Sequence, residues 1–283
     1  MTIKIFSQQS NKVSFEFFPP KTQQATENLY VQINKLLSFH PQFMSITYGA
    51  DGSTRELTQN LCIQIKERTN IPIVAHLTCV NALKDDIYAM LQTYENNGIE
   101  NIMALRGDMP KGKITKSDFT YAYELVTFIK ENFPNFGIGV AGFPEGHPQS
   151  LNRLKEMDYL KQKVDAGADY ICTQLFFDHH DYYDFCERCE ISGITVPCIP
   201  GIMPIISKAN FYKIAELAPR SHFPAPLLRS LYNAKSDNEI EKIGIDWAIM
   251  QVQNLLDHNV QHIHFYTLNH ANYVQKILEH IHF

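Results

Sequence analysis

No window of this 283-residue chain approaches the roughly 20 consecutive apolar residues that a membrane-spanning helix needs. The N-terminal stretch MTIKIFSQQSNKVSFEFF lacks a continuous apolar segment followed by a small-residue cleavage site, so no signal peptide is expected. The expected compartment is therefore cytoplasmic, with no membrane partner. Lys and Arg form no run, and the formal charge is −5, which argues against non-specific nucleic-acid binding. Linkers, low-complexity tracts and short repeats are missing, so residues 1–283 are expected to form a single domain. Cysteine is sparse as well. Cys186 and Cys189 make a CxxC, but no second ligand pair stands at zinc spacing, so no metal is expected. The other four cysteines are Cys62, Cys79, Cys172 and Cys198, several of them inside apolar runs where a thiol acts as a small hydrophobe.

What the chain does have is a rhythm. Eight short apolar runs end near polar or glycine residues: VSFEFF, FMSITYG, PIVAHLT, NIMALRGD, GIGVAGF, DYICTQLFF, VPCIPGI and HIHFYTLN. Helix-like stretches separate them, at Ala25 to Phe39, Ala82 to Asn97 and Ser150 to Ala166 among others. Apolar runs alternating with helices read as parallel strands with crossovers. Eight units at a spacing of roughly 30 residues predict a (β/α)8 TIM barrel, an α/β fold whose active site lies at the strands' C-terminal rim. The interval between Gly201 and the last run is longer, and its periodicity predicts two or three extra helices before the last strand, the clearest over Asn238 to Asp257.

Residues 137 to 142 read Gly-Ile-Gly-Val-Ala-Gly, which matches GxGxxG. A dinucleotide fingerprint needs those glycines after a strand, opening a helix. Here they lie within the strand-like run, and Phe-Pro-Glu-Gly-His-Pro follows, which cannot open a regular helix at once. The match is rejected as a Rossmann motif.

The chemistry gathers at run ends. Strand alternation puts Ser14 and Glu16 on one face and Phe15 and Phe17 on the other. Aromatics packed under the helices would turn Glu16 into the barrel, where lost hydration should raise its pKa and suit it to act as a general acid. A structural glutamate paired with an internal Arg or Lys is the alternative. Arg106 and Asp108 project together from the fourth run, with Gly107 between them, either as a site or as an ion pair across the barrel mouth. His76 and Gln174 end two other runs. His147 follows a Pro-Glu-Gly turn, and Lys163 lies in the last turn of a helix, where it could simply complement the dipole.

The segments SFEFFPPKT, SITYGADGSTRE, AHLTC, NNGIENIMALRGD, KVDAGADYICTQLFFD, IPGIMP and HFYTLN occur in this order. As a set they resemble the bacterial methylenetetrahydrofolate reductases, from about Val13 to Asn269. That resemblance implies a flavoenzyme with non-covalent FAD, usually a homo-oligomer (a tetramer), that supplies methyl groups for methionine synthesis. NADH or NADPH would reduce the flavin and leave; 5,10-methylenetetrahydrofolate would then accept hydride in a ping-pong cycle and become 5-methyltetrahydrofolate. The family's acid glutamate falls on Glu16, its RGD aspartate on Asp108 and its pterin-contacting glutamine on Gln174. Flavin contacts are implied for Tyr48, Ala50, His76, Arg106, Gly107, Asp108, Tyr121, Phe143, His147, Glu156 and Lys163. Thr47 matches a position near the nicotinamide.

The sequence departs from the pattern at several points. Phe143 replaces a common tyrosine and Glu156 a common aspartate. Ile214 stands near the place of a nicotinamide-stacking phenylalanine, with Phe211 close by. His270, on the folate side, replaces a usual arginine, and a neutral imidazole cannot reproduce that bidentate cation. Two other readings stay open from sequence alone: a flavin- or folate-binding protein without turnover, and a nicotinamide dehydrogenase without flavin.

Overall fold

A computed structural model describes residues 12–48, 55–108 and 117–281. The strands are β1 (Lys12–Phe17), β2 (Phe43–Ile46), β3 (Ile73–Thr78), β4 (Asn101–Leu105), β5 (Gly137–Gly142), β6 (Tyr170–Thr173), β7 (Cys198–Ile199), β8 (Gly201–Ile202) and β9 (His262–Tyr266). All pair in parallel, in the order β7-β6-β5-β4-β3-β2-β1-β9-β8. β7 pairs with β6 and β8 with β9, and only Pro200 lies between the two short strands. They are therefore two halves of one stave, and the sheet closes as the expected TIM-type barrel.

Pro200 explains the split, because proline has no N–H to give a ladder. Side chains bridge the gap. The Gly201 N–H donates to Thr173 Oγ1 at 3.0 Å, and the Tyr266 hydroxyl donates to the Thr173 carbonyl at 2.6 Å.

Helices α1 (Gln23–Leu36), α2 (Arg55–Thr69), α3 (Lys84–Asn96), α4 (Ala122–Asn132), α5 (Arg153–Asp165) and α6 (His179–Ile191) follow β1 to β6 in turn. The periodic stretches read from sequence are there: α3 and α5 start two and three residues later than read, whereas α1 starts two residues earlier and its α-helix ends at Leu36. Asn152, for example, caps α5 by accepting from the Lys155 N–H, which pushes the start beyond Ser150. Three helices precede β9, as expected: α7 (Lys208–Leu217), α8 (Ala225–Asn233) and α9 (Asp237–Asp257); α10 (Ala271–Leu278) follows it.

Strand alternation sorts two cores. Val13, Phe15, Phe17, Ile263 and Phe265 pack outward under the helices. Phe43, Val74, Met103, Tyr170, Cys172 and Ile199 fill the lumen. The rejected glycine motif is strand throughout. A Cβ on Gly139 would stand 2.3 Å from the Tyr170 ring, so the lumen's packing requires that glycine. A further apolar cluster joins Leu175 and Phe177, beyond β6, to Phe211, Ile214, Leu227 and Ile240 of the inserted helices. Trp247 and Gln251 of α9 fasten this insert by donating to the carbonyls of Phe177 and Phe176, each at 2.9 Å.

Among the described residues, no helix is long and apolar enough to cross a membrane.

Candidate functional site

Glu16 points into the lumen from the end of β1, as alternation requires. Its partners come from three neighbouring strands. His76 of β3 brings Nε2 to 3.3 Å of Glu16 Oε2, and His264 of β9 brings Nε2 to 3.7 Å. Ser45 of β2 donates to the same oxygen at 3.4 Å. No arginine or lysine pairs with Glu16 among the described residues; two imidazoles and a hydroxyl take that place.

This arrangement corrects the expectation of a raised pKa. Burial does push the Glu16 carboxyl up. The charge of His76, hydrogen bonds from His264 and His76, and the charge of His264 together outweigh burial and hold it down at about 2. The aromatic neighbours visible in the sequence face the outer core, so the carboxylate meets imidazole rather than hydrocarbon.

A polar row continues beneath it. Ser14 Oγ lies 2.7 Å from His264 Nδ1 and 2.9 Å from His262 Nε2. Phe43 packs against both imidazoles, with ring centroids at 5.4 and 5.6 Å. Ser45, His262 and His264 were missed as site residues. Period-two alternation extended along β9 would have found both histidines, because His262, His264 and Tyr266 share a face.

A second group gathers beyond β4, β5 and α5. Arg106 donates to Gln149 Oε1 at 2.6 Å and to the Gly107 carbonyl at 3.3 Å, so it is not committed to an ion pair with Asp108. Gly107 has φ +84°, and a Cβ there would meet Val80 Cγ1 at 2.8 Å. Only glycine fits that turn. The Lys163 ammonium reaches the Ala141 carbonyl at 2.6 Å rather than the end of its own helix. Burial lowers it to about 8, with only Glu156 acting against that. Glu156 Oε1 accepts from the His147 N–H at 3.0 Å, and burial raises its carboxyl pKa. The His147 imidazole is lowered by burial and then by Arg106, Lys163 and Arg220, with Asp108 opposing. Its ring stands edge-on to Phe143 at 4.7 Å. Cations thus converge here in excess of carboxylates, as an anionic diphosphate would require.

The remaining residues are more scattered. Thr47 donates its N–H to the Phe17 carbonyl at 2.9 Å, beside Glu16 in the chain. The Tyr48 hydroxyl is raised by burial, with Arg55 opposing. Gln174 uses its amide oxygen to accept from the Leu175 N–H at 2.9 Å, leaving the NH2 group to donate. Asp108, Tyr121 and His270 are exposed. Tyr121 stacks on Tyr123, and His270 occupies the N-cap position of α10 without a side-chain cap bond, its ring near Tyr273. Ala50 lies outside the described residues. Ile214 and Phe211 are both buried in the cluster under the inserted helices, so neither offers a free stacking face. At the rim, ligand-bearing atoms of Asp178, Asp181 and His222 lie within 4.8 Å of one another, as do those of Asp178, His179 and His180. The CxxC thiols belong to neither group.

The candidate site therefore has two parts, a lumen carboxylate among imidazoles and a cluster of cations beyond β4, β5 and α5. That combination suits proton donation to a substrate held beside a phosphate-bearing cofactor.

Known proteins identify the family. The chain is 40% identical over 262 residues to the 5,10-methylenetetrahydrofolate reductase of Salmonella typhimurium, covering 92% of this chain and 86% of that protein. It is also 40% identical over 260 residues to the enzyme of the same name from Escherichia coli, with the same coverage. Among solved structures, an uncharacterized Clostridium thermocellum protein that binds two copies of 5-methyl-5,6,7,8-tetrahydrofolic acid shares the fold. The TM-score is 0.62 at 12% identity, over 98% of this chain and 95% of that one. The methylenetetrahydrofolate reductase family profile matches residues 2–282, and the chain belongs to that family.

Proposed function

We propose that this chain reduces 5,10-methylenetetrahydrofolate to 5-methyltetrahydrofolate, using FAD to pass on hydride from NADH or NADPH, with Glu16 as the last proton donor. The observation that carries this reading is Glu16 itself, set in the lumen with imidazoles at 3.3 and 3.7 Å. Bound flavin would supply two-electron chemistry, accepting hydride from one substrate and giving it to the next. Arg106 and Lys163 would hold its diphosphate, and His76, His147 and Tyr48 would line its ring and ribityl chain. Asp108 and Gln174 would hydrogen-bond the pterin, and Thr47 would meet the nicotinamide.

Reduction consumes one proton per turnover. A carboxyl held near 2 is ionised at neutral pH, so in this scheme Glu16 takes up a proton within each cycle before giving it to the folate. This differs from a carboxylic acid kept protonated by an apolar pocket. We also read residues 1–283 as one catalytic domain, working as a homo-oligomer in the cytoplasm and feeding methionine synthesis.

The deciding experiment is anaerobic. Purified protein loaded with FAD is yellow, NADH bleaches it, and methylenetetrahydrofolate restores the colour. Bleaching without restoration removes the folate assignment. A nicotinamide oxidoreductase that never takes up flavin removes the whole scheme.

A further inference from the structure

The folate chemistry leaves the CxxC unused, and the fold brings a third thiol to it. Cys186 and Cys189 lie on α6, Cys198 lies on β7, and all three pack in the outer core. The Cys198 thiol hydrogen-bonds with both thiols of the motif. Tyr182, one turn before Cys186, donates its hydroxyl to the Cys198 carbonyl at 2.8 Å, which fixes helix against strand at this point. The three thiols differ in access. Cys186 and Cys198 are half-buried, whereas Cys189 is only 2% exposed. A small solvent-borne reagent therefore reaches the first two and not the third.

We propose that Cys186 and Cys198 form an oxidation-sensitive pair, closed to a disulfide by hydrogen peroxide and reopened by thiol reductants. All six cysteines are free in the structure, so this is the reduced state. The two partners are unequal in the way the reaction needs. Hydrogen bonding from Cys198 first, with Tyr182 assisting, holds the Cys186 thiol below its ordinary value against the pull of burial. The same contacts with Cys186 and Cys189, and then burial, push the Cys198 thiol up, so it stays protonated and donates. A half-exposed thiol that favours its thiolate, beside a second thiol able to resolve it, is the arrangement of a redox-sensing cysteine. In a reducing compartment such bonds are transient rather than structural.

The chemistry balances in two steps. The Cys186 thiolate attacks one peroxide oxygen and the O–O bond breaks. Cys186 becomes a sulfenic acid, and the departing hydroxide combines with the thiol's proton as water. The Cys198 sulfur then attacks the Cys186 sulfur. The S–O bond breaks, the S–S bond forms, and the Cys198 proton leaves with the hydroxide as a second water. Two thiols lose one electron each, and one peroxide takes up both. The bond ties α6 to β7, the half of the split stave that pairs with β6.

The test uses the purified full chain, treated with a few equivalents of hydrogen peroxide, and reads the sulfurs directly, independently of the folate-reductase reading. Thiol titration after unfolding should fall by two from the six of the reduced chain, and dithiothreitol should restore both. Peptide mapping should find Cys186 joined to Cys198. The bond should persist in Cys189→Ser and be lost in Cys186→Ser and Cys198→Ser. In Cys198→Ser, dimedone should trap Cys186 as the sulfenic acid. A parent protein that keeps all six thiols overturns the proposal. So does a bond that joins Cys189 to either partner, or Cys186 oxidised in the parent without a bond to Cys198. The parent's own peptide map decides the matter even where a serine variant fails to fold.

Discussion

Glu16 Oε2 has an imidazole on either side and a hydroxyl at 3.4 Å, and this sets both its chemistry and its acid sensitivity. Its folded pKa lies below the ordinary 4.5, at about 2. The carboxylate therefore contributes stability above pH 4.5 that is lost as pH falls toward 2, on the order of 3 kcal/mol. Replacing Glu16 with Gln should flatten that part of the acid-denaturation curve, followed by circular dichroism. In the loaded protein the same variant should bleach normally with NADH but reduce the folate on the order of 10²-fold more slowly. Loss of both half-reactions together would mark Glu16 as structural. Its position in the lumen was legible from Phe15 and Phe17 alternating with it. Its partners were not, because Ser14 and His264, for instance, meet across 250 residues of chain. Pairing register brings them together, and no local pattern encodes that register.

At the level of elements, the inserted helices show where close packing is most exacting. Gly244 of α9 lies against the Ile205 carbonyl, and a Cβ there would stand 1.8 Å from that oxygen. Backbone cannot yield as a flexible side chain can, so Gly244→Ala should displace α9 and cost about 3 kcal/mol or more in urea unfolding. The anchors from Trp247 and Gln251 to the β6 end would loosen with it. Helix periodicity made the existence of α9 readable, since its apolar residues recur on one face. It could not show that Ile214 faces inward against Phe211 and Leu227, because burial on an insert depends on which neighbouring helix covers it. The split at Pro200 was likewise hidden within one apolar run, although the proline that causes it stands in plain sight.

Across the whole molecule, the buried Lys163 ammonium in the cationic cluster costs stability. The Lys163 ammonium is held down to about 8 by burial. A base with a lowered folded pKa costs stability at neutral pH, and that cost fades as pH rises from about 8 toward 10.5. Lys163→Met should therefore raise the melting temperature of cofactor-free protein at pH 7, by a gain on the order of 1–2 kcal/mol. It should also weaken FAD binding, so that added FAD raises the melting temperature less than in the parent protein. A variant equally stabilised by FAD would show that Lys163 lies away from the cofactor. The barrel itself was the most legible property at this scale, because run after run of buried strand alternates with amphipathic helix.

The barrel's one stave built from two two-residue pieces has a dynamic consequence. Seven staves are zipped by continuous ladders, whereas the Pro200 stave leans on Thr173 and Tyr266 side chains for part of its stitching. Breathing of the cylinder should start at this seam, so the Gly201 amide should trade its hydrogen for deuterium sooner than Ala75 or Ile102 on the opposite wall. Because Tyr266 spans the seam and stands opposite Glu16 in the β1–β9 register, such an opening would also loosen the lumen wall beside that carboxylate.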